Sequence, residues 1–189
     1  MIIEVFVKNM VCNRCIKVIK NELLEAGVAV TKVELGRVVY KSKNIASDSK
    51  KLEKVLDENG FELLEGDDKI LIEKVKLSLI RLLENLPLQK SGTLSSYLSK
   101  ETETDYSRLS RIFSYTEKIT VEKYFIKLKI EKVKELIQSK QYNFTQISQL
   151  LDYSNVNHLS KQFKAETGMS LTKYKTLNQN FRNSLDQIL

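Results

Sequence analysis

Tryptophan is absent from this sequence, proline and histidine occur once each, and cysteine occurs twice. Two cysteines cannot build a disulfide framework, so stability must come from buried apolar side chains. The 189 residues leave room for one or two modest domains that do this. The single histidine, His158, excludes the imidazole clusters of zinc enzymes. No Ser/His/Asp, glycine-rich or paired-carboxylate constellation accompanies it, so the expectation is a protein that is not an enzyme. Thioredoxin-like catalysts keep a cis-proline beside their dithiol, and the lone Pro87 lies far from both cysteines in sequence. No stretch approaches the ~20 apolar residues needed to span a bilayer. The start, MIIEVFVKNM, has neither a basic leader nor a long apolar run. These absences point to a cytoplasmic protein with no membrane contact.

Charge is abundant and unevenly placed. The net charge is +7, yet residues 1–68 carry 11 Lys/Arg against 12 Asp/Glu, and residues 69–189 carry 20 against 12. The basic excess therefore sits wholly in the second part, as a partner rich in phosphate requires.

That part contains the segment Asn143–Lys175, NFTQISQLLDYSNVNHLSKQFKAETGMSLTKYK. Phe144, Ile147, Leu150 and Leu151 share one helical face, and after Asp152–Asn155 the pattern restarts with Val156, Leu159 and Phe163. The other face of the second helix offers Asn157, His158, Ser160, Lys161 and Lys164. Amides, hydroxyls and cations on a short helix after a tight turn suit a major groove. An ordinary helical hairpin has the same periodicity, but the order of residues is more specific. Ile147-Ser148, Leu151-x-Tyr153-Ser154, His158-Leu159-Ser160-x-x-Phe163-Lys164, Gly168-Met169-Ser170 and Tyr174 resemble the second helix-turn-helix of the AraC family of transcription regulators. Asp152, Ser148 and Leu171 depart from the Gly, Ala and Pro usual there. A positive φ at 152 suits glycine best and is tolerated by Asp.

A first helix-turn-helix is expected over about 93–117. Leu94–Lys100 gives one short helix, and Asp105 reads as the N-cap of Tyr106–Thr116. Leu109, Ile112 and Phe113 turn inward, leaving Ser107, Arg108, Ser110 and Arg111 outward. Leu109-Ser110-Arg111-x-Phe113 parallels the same family, with Lys118 in place of its usual Gly. Arg111 is a candidate for guanine or phosphate. A linker helix over 120–140 carries two apolar faces, Val121/Tyr124/Phe125/Leu128 and Ile126/Ile130/Val133/Ile137, one for each flanking unit. The second helix-turn-helix is placed at about 143–168. Asn157, Ser160 and Lys161 are assigned to the groove, with Val156 and His158 at its edge; a backbone contact suits His158 equally. Lys164, Lys173 and Lys175 are assigned to phosphates. Thr176–Leu189 reads as an amphipathic, uncapped tail.

The first part has a different rhythm. Ile3, Val5 and Val7 alternate as in a strand, and Ile16, Ile19, Leu23 and Leu24 follow at helical spacing. Val28–Leu35 and Val38–Lys43 flank a two-residue turn at Gly36–Arg37. Ser47–Asn59 is a helix with Leu52, Val55 and Leu56 inward, and Phe61–Leu64 is a last strand. The order β-α-β-β-α-β is a ferredoxin-like split unit, which makes the whole chain α+β. A polar stretch at 65–68 marks the boundary, giving domains at 1–66 and 69–189. From Lys69 to Leu86 a helix presents Ile72, Val75, Leu79, Leu82, Leu83 and Leu86.

Met10-x-Cys12-x-x-Cys15, with Gly60-Phe61 at the far end, resembles the heavy-metal-associated domain of soft-metal chaperones and transport ATPases. Asn9 and Val11 replace residues usual in that family. Two thiols three apart, the second in a helix's first turn, can aim at one point. The helix N-terminus, Arg14 and Lys17 should favour thiolate. Two thiolates suffice for Cu(I), the favoured ion, with Zn(II) or Hg(II) as alternatives, although a closed zinc site wants four ligands. A thiol–disulfide sensor and a relic with half-buried cysteines are competing readings of Cys12 and Cys15. Met10 reads as a core anchor beneath the loop.

Together these readings describe a sequence-specific regulator that binds double-stranded DNA and responds to a soft metal ion or redox state. RNA polymerase or a metal-donor protein would be further partners, and the chain would act as monomer or homodimer. The rival is a metal-trafficking or scaffold protein whose helical half binds a protein partner.

Overall fold

The computed structural model describes residues 1–88, 92–177 and 188. It divides into two compact units, Met1–Leu77 and Ser78–Leu189. The first contains β1 (Ile2–Lys8), α1 (Asn13–Glu25), β2 (Ala29–Glu34), β3 (Arg37–Lys41), α2 (Ile45–Glu58) and β4 (Glu62–Leu64), and then enters α3 (Asp67–Glu84). The four strands make one antiparallel sheet in the order β2-β3-β1-β4. Val5 lies opposite Val38, and Phe6 opposite Leu64. An α+β architecture follows.

Strand alternation and helical periodicity meet in one core. Val7, Val38 and Tyr40 from the sheet pack with Ile19 and Leu23 of α1 and with Leu52, Val55 and Leu56 of α2. Ile3 and Val5 are half-buried against the same cluster. Leu24, expected to face inward, is 51% exposed. Ile16, Ile19 and Leu23 already fill the inward positions at i, i+3 and i+7, and Leu24 lies ~100° further round.

The hairpin turn sits one residue earlier than its glycine suggests. Glu34 pairs with Arg37, so the two loop residues are Leu35 and Gly36. Gly36 has φ +74°, and a Cβ there would collide with the Leu77 side chain. Both the positive φ and the close approach require glycine.

Of the polar segment at 65–68 only Glu65 and Gly66 separate β4 from α3, because Asp67 and Asp68 already form its first turn, and the division between the units falls inside α3, between Leu77 and Ser78. Of the expected stripe, Ile72, Val75, Leu79, Leu82 and Leu83 are buried, while Leu86 is half-buried beyond the end of α3; Leu71, Leu77 and Ile80 are buried too, with Glu73 and Ser78 among them. One stripe understates this helix because its surroundings change along its length. In the first unit, Glu73 Oε1 accepts the Asn9 N–H at 3.3 Å. In the second, the Ser78 carbonyl accepts the Tyr97 hydroxyl at 3.1 Å.

The second unit continues with α4 (Leu94–Thr102), α5 (Tyr106–Glu117), α6 (Val121–Ser139), α7 (Phe144–Leu150), α8 (Val156–Thr167) and α9 (Leu171–Thr176). The expected tail beyond Thr176 lies outside the described residues, apart from Leu177 and a buried Ile188. The α4–α5 and α7–α8 pairs repeat at an offset of fifty residues. Leu109 and Leu159, Phe113 and Phe163, and Tyr124 and Tyr174 are buried counterparts. The Phe113 and Tyr124 rings stand 5.6 Å apart, and the Phe163 and Tyr174 rings 5.5 Å apart. The second helix of each pair is thus fastened to the helix after it by the same aromatic pair.

The linker α6 departs from the two-stripe expectation. Ile126 is only half-buried, while Lys129, Glu131 and Lys134 are buried with the apolar residues. Glu131 and Lys134 compensate each other at 2.6 Å. The Lys129 ammonium lies 3.7 Å from the Tyr153 ring centroid. Charges survive burial where such partners replace water.

Candidate functional site

Helix α5 is capped by Asp105. Its Oδ1 accepts the N–H of Ser107 at 2.9 Å, the N–H of Arg108 at 3.3 Å and the Ser107 hydroxyl at 2.5 Å. The Ser107 hydroxyl, followed by the two backbone N–H groups, holds the Asp105 carboxyl below its usual pKa. Ser107 was expected to lie outward; it is exposed, but its hydroxyl already donates to the cap. Arg108 and Arg111 are exposed and Ser110 is half-buried, while Leu109 and Phe113 hold the inner face. The outward chemistry of α5 is therefore two guanidinium groups, suited to bidentate recognition of guanine or phosphate.

Helix α8 is capped by Asn155, whose side chain accepts the His158 N–H at 2.9 Å. Asn157, Lys161 and Lys164 are exposed, with Val156 and Ser160 half-buried at the edges. The His158 ring is fastened by its neighbours. Nδ1 lies 3.2 Å from Ser154 Oγ, and the ring stands edge-on to Tyr153 at 5.4 Å. Asn157 and Lys161 are thus the freer side chains of this face.

Tyr153 is the residue that sequence reasoning undervalued. It is 7% exposed, and its hydroxyl donates to Gln162 Oε1 at 2.7 Å. Burial, then the Glu166 charge, pushes its phenol well above the ordinary value. With Lys129 over its ring and His158 at its edge, Tyr153 ties the turn to both α6 and α8. Its membership of the Leu151-x-Tyr153-Ser154 run was the available signal. A second tie is Lys123 of α6 to Glu166 of α8, at 2.5 Å. Asp152 in the turn has φ +55°, and Lys118 at the end of α5 has φ +60°. Both non-glycine departures therefore occupy left-handed positions.

The dithiol belongs to the first unit. Cys12 is the N-cap position of α1 and Cys15 lies in its first turn, with the two Sγ atoms 3.4 Å apart. Both are half-buried, and Met10 beneath them is fully buried, as a core anchor must be. Burial alone would raise Cys12, but hydrogen bonds from the Cys15 N–H and thiol and from the Arg14 N–H, aided by the Arg14 charge, lower it. Cys15 moves the other way, raised by burial and then by its hydrogen bond to Cys12. The expected thiolate character therefore belongs to Cys12 alone. Among the described residues no group of three or more His, Cys, Asp or Glu could hold a metal ion. The donor set fits a soft ion content with two sulfurs and does not fit a closed zinc site.

No described helix is long and apolar enough to cross a membrane. Residues 98–177 match the family model described as a helix-turn-helix domain. No curated protein matches the chain. Among solved structures, the chain is similar to the C-terminal domain of AraT, a response regulator from Geobacillus stearothermophilus. The identity is 19% and the TM-score 0.48, covering 60% of this chain and 91% of that one. Residues 98–177 are a helix-turn-helix domain, and this supports a DNA-binding transcription regulator.

Proposed function

We propose that the chain is a sequence-specific transcription regulator that reads double-stranded DNA through α5 and α8. The observation that carries this is the repeat itself. Two capped helices, each locked by a Phe–Tyr pair, leave Arg108 and Arg111 on one and Asn157, Lys161 and Lys164 on the other outward. Arg111 takes guanine or an adjacent phosphate, and Asn157 takes adenine. Val156 meets a thymine methyl, Ser110 and Ser160 supply hydroxyls beside them, and Lys164 meets a phosphate. The chain would act as monomer or homodimer, with RNA polymerase as a further partner, and without enzymatic activity.

The test is enrichment of a bound sequence from a random duplex pool by the full chain. Arg111→Ala and Asn157→Ala should each relax preference at separate positions of the enriched site. A pool that never enriches contradicts the proposal.

The dithiol would make this regulator responsive. Two half-buried sulfurs at 3.4 Å suit Cu(I) or Hg(II), whose chemistry is strong bonding to thiolate in low coordination. Cys12 supplies the readier thiolate, and Cys15 must lose its proton for both to bind. Zn(II) would need ligands from outside, such as a second chain or a metal-donor protein. Oxidation of the pair is the competing input. Either input changes DNA affinity only if it favours one state of the protein over another. A Cys12→Ser/Cys15→Ser variant whose DNA affinity matches the parent under every metal and redox condition would remove this part.

A further inference from the structure

The two recognition helices differ at their C-terminal ends. Position 115 in α5 is Tyr, and fifty residues on the counterpart is Ala165; Lys118 corresponds in the same way to Gly168. Tyr115 is 77% exposed, the most exposed large aromatic among the described residues. It follows Arg111 by four residues and Arg108 by seven, so all three lie along one outward stripe of α5. The Lys118 ammonium sits 4.6 Å from the Tyr115 ring centroid, placing a cation at the end of that stripe. Lys118 keeps this place at φ +60°, where Gly168 occupies the corresponding position at φ +74°.

An aromatic so exposed contributes little to the fold, and its neighbours on the stripe are the two guanidinium groups assigned to DNA. From this we infer that Tyr115 and Lys118 form a phosphate clamp for double-stranded DNA, which continues the α5 face past its base-reading half and has no equivalent on α8. The inference rests on the DNA-binding reading above. The chemistry is that of the backbone. The Tyr115 hydroxyl donates to a phosphate oxygen while Lys118 neutralises charge beside it, and neither contact reads sequence. The first helix-turn-helix would thus be the stronger anchor, and the second the finer reader through Asn157.

The experiment uses the full chain with two duplexes, one enriched from a random pool and one unrelated, over a series of salt concentrations. Tyr115→Ala should weaken binding to both duplexes by a similar factor, about three- to tenfold, and Tyr115→Phe should lose most of that factor. Lys118→Gly should reduce the slope of log affinity against log salt by about one, without changing the preferred sequence. Because glycine suits a left-handed position, that variant keeps its fold, and weakened binding cannot be blamed on unfolding. Unchanged affinity and slope in the Tyr115 and Lys118 variants, while Arg111→Ala binds poorly, would overturn the clamp and leave the pair to a protein partner. Failure of the parent to bind either duplex would instead overturn the DNA-binding reading, and the clamp with it.

Discussion

The two helix-turn-helix units share a skeleton and differ in how their turns and faces are finished. Both use a side-chain N-cap, Asp105 in one and Asn155 in the other, and both bury a Phe–Tyr pair of nearly the same spacing. The second unit adds a buried tyrosine in its turn, with a hydrogen bond and an ammonium on its ring, and a reciprocal capping box at Asn143 and Gln146. The first unit has an acidic cap and an exposed Tyr115–Lys118 pair. Fifty residues before Tyr153 stands Glu103, so its turn has no tyrosine, and its Tyr106–Glu122 hydrogen bond lies at the surface. The core of the repeat is set by apolar packing, and each unit spends its polar residues differently. The second is finished for rigidity, the first for charge.

The largest expected effect tests the shared skeleton. Phe113→Ala and Phe163→Ala each remove a fully buried ring and should each cost about 3–5 kcal/mol in denaturant unfolding of the full chain. A twofold disparity between them would mean that the repeat is geometric only. Next comes the finish of the turns. Tyr153→Phe leaves the half-buried Gln162 without its donor and should cost about 1 kcal/mol. Tyr106→Phe, at the surface, should stay within about 0.5 kcal/mol. Equal costs would erase the contrast in rigidity.

The C-terminal ends offer a reciprocal pair. Lys118→Gly should stabilise the chain by up to about 1 kcal/mol, and Gly168→Ala should destabilise it by about as much, since both positions are left-handed. The smallest effect is a pH dependence. The Asp105 pKa is lowered on folding, so its cap stabilises α5 above the unfolded value of 3.8 and fades as pH falls through the folded value. Asn155 does not titrate. Amide exchange at acid pH should therefore accelerate at the start of α5 before the start of α8. Parallel acceleration would show that the two caps are equivalent.

Much of this architecture could be read from residue spacing. Alternation in Ile3, Val5 and Val7, the inward Leu52, Val55 and Leu56, the Asp105 cap and the anchoring Met10 depend on neighbours close in sequence, and the structure places them as expected. Features that depend on distant neighbours were less legible. The enclosure of α3 and α6 depends on what surrounds them, so a periodic pattern shows only the most apolar part of it. The buried Lys129, Glu131 and Lys134 look like surface charges until their partners are in place. The turn at Leu35–Gly36 was displaced by one because glycine takes the second loop position there. On α5 and α8 the exposure of Arg108, Arg111, Asn157, Lys161 and Lys164 followed from periodicity, whereas Ser110 and Ser160, expected outward, are half-buried. The commitment of Ser107 to the Asp105 cap and of His158 to Ser154 and Tyr153 did not follow from it. The opposite pKa shifts of Cys12 and Cys15 depend on unequal burial and on hydrogen bonds between them, neither of which the CxxC spacing encodes.

The most direct test of the central claim is a salt titration of DNA affinity with the full reduced chain and a duplex enriched from a random pool. The account predicts a steep linear fall of log affinity with log salt, at about −0.9 per neutralised phosphate. It also predicts a shallower fall in both Arg108→Ala and Lys161→Ala, one from each unit. Affinity that is absent, or indifferent to salt and to both substitutions, would contradict the claim that α5 and α8 together bind DNA.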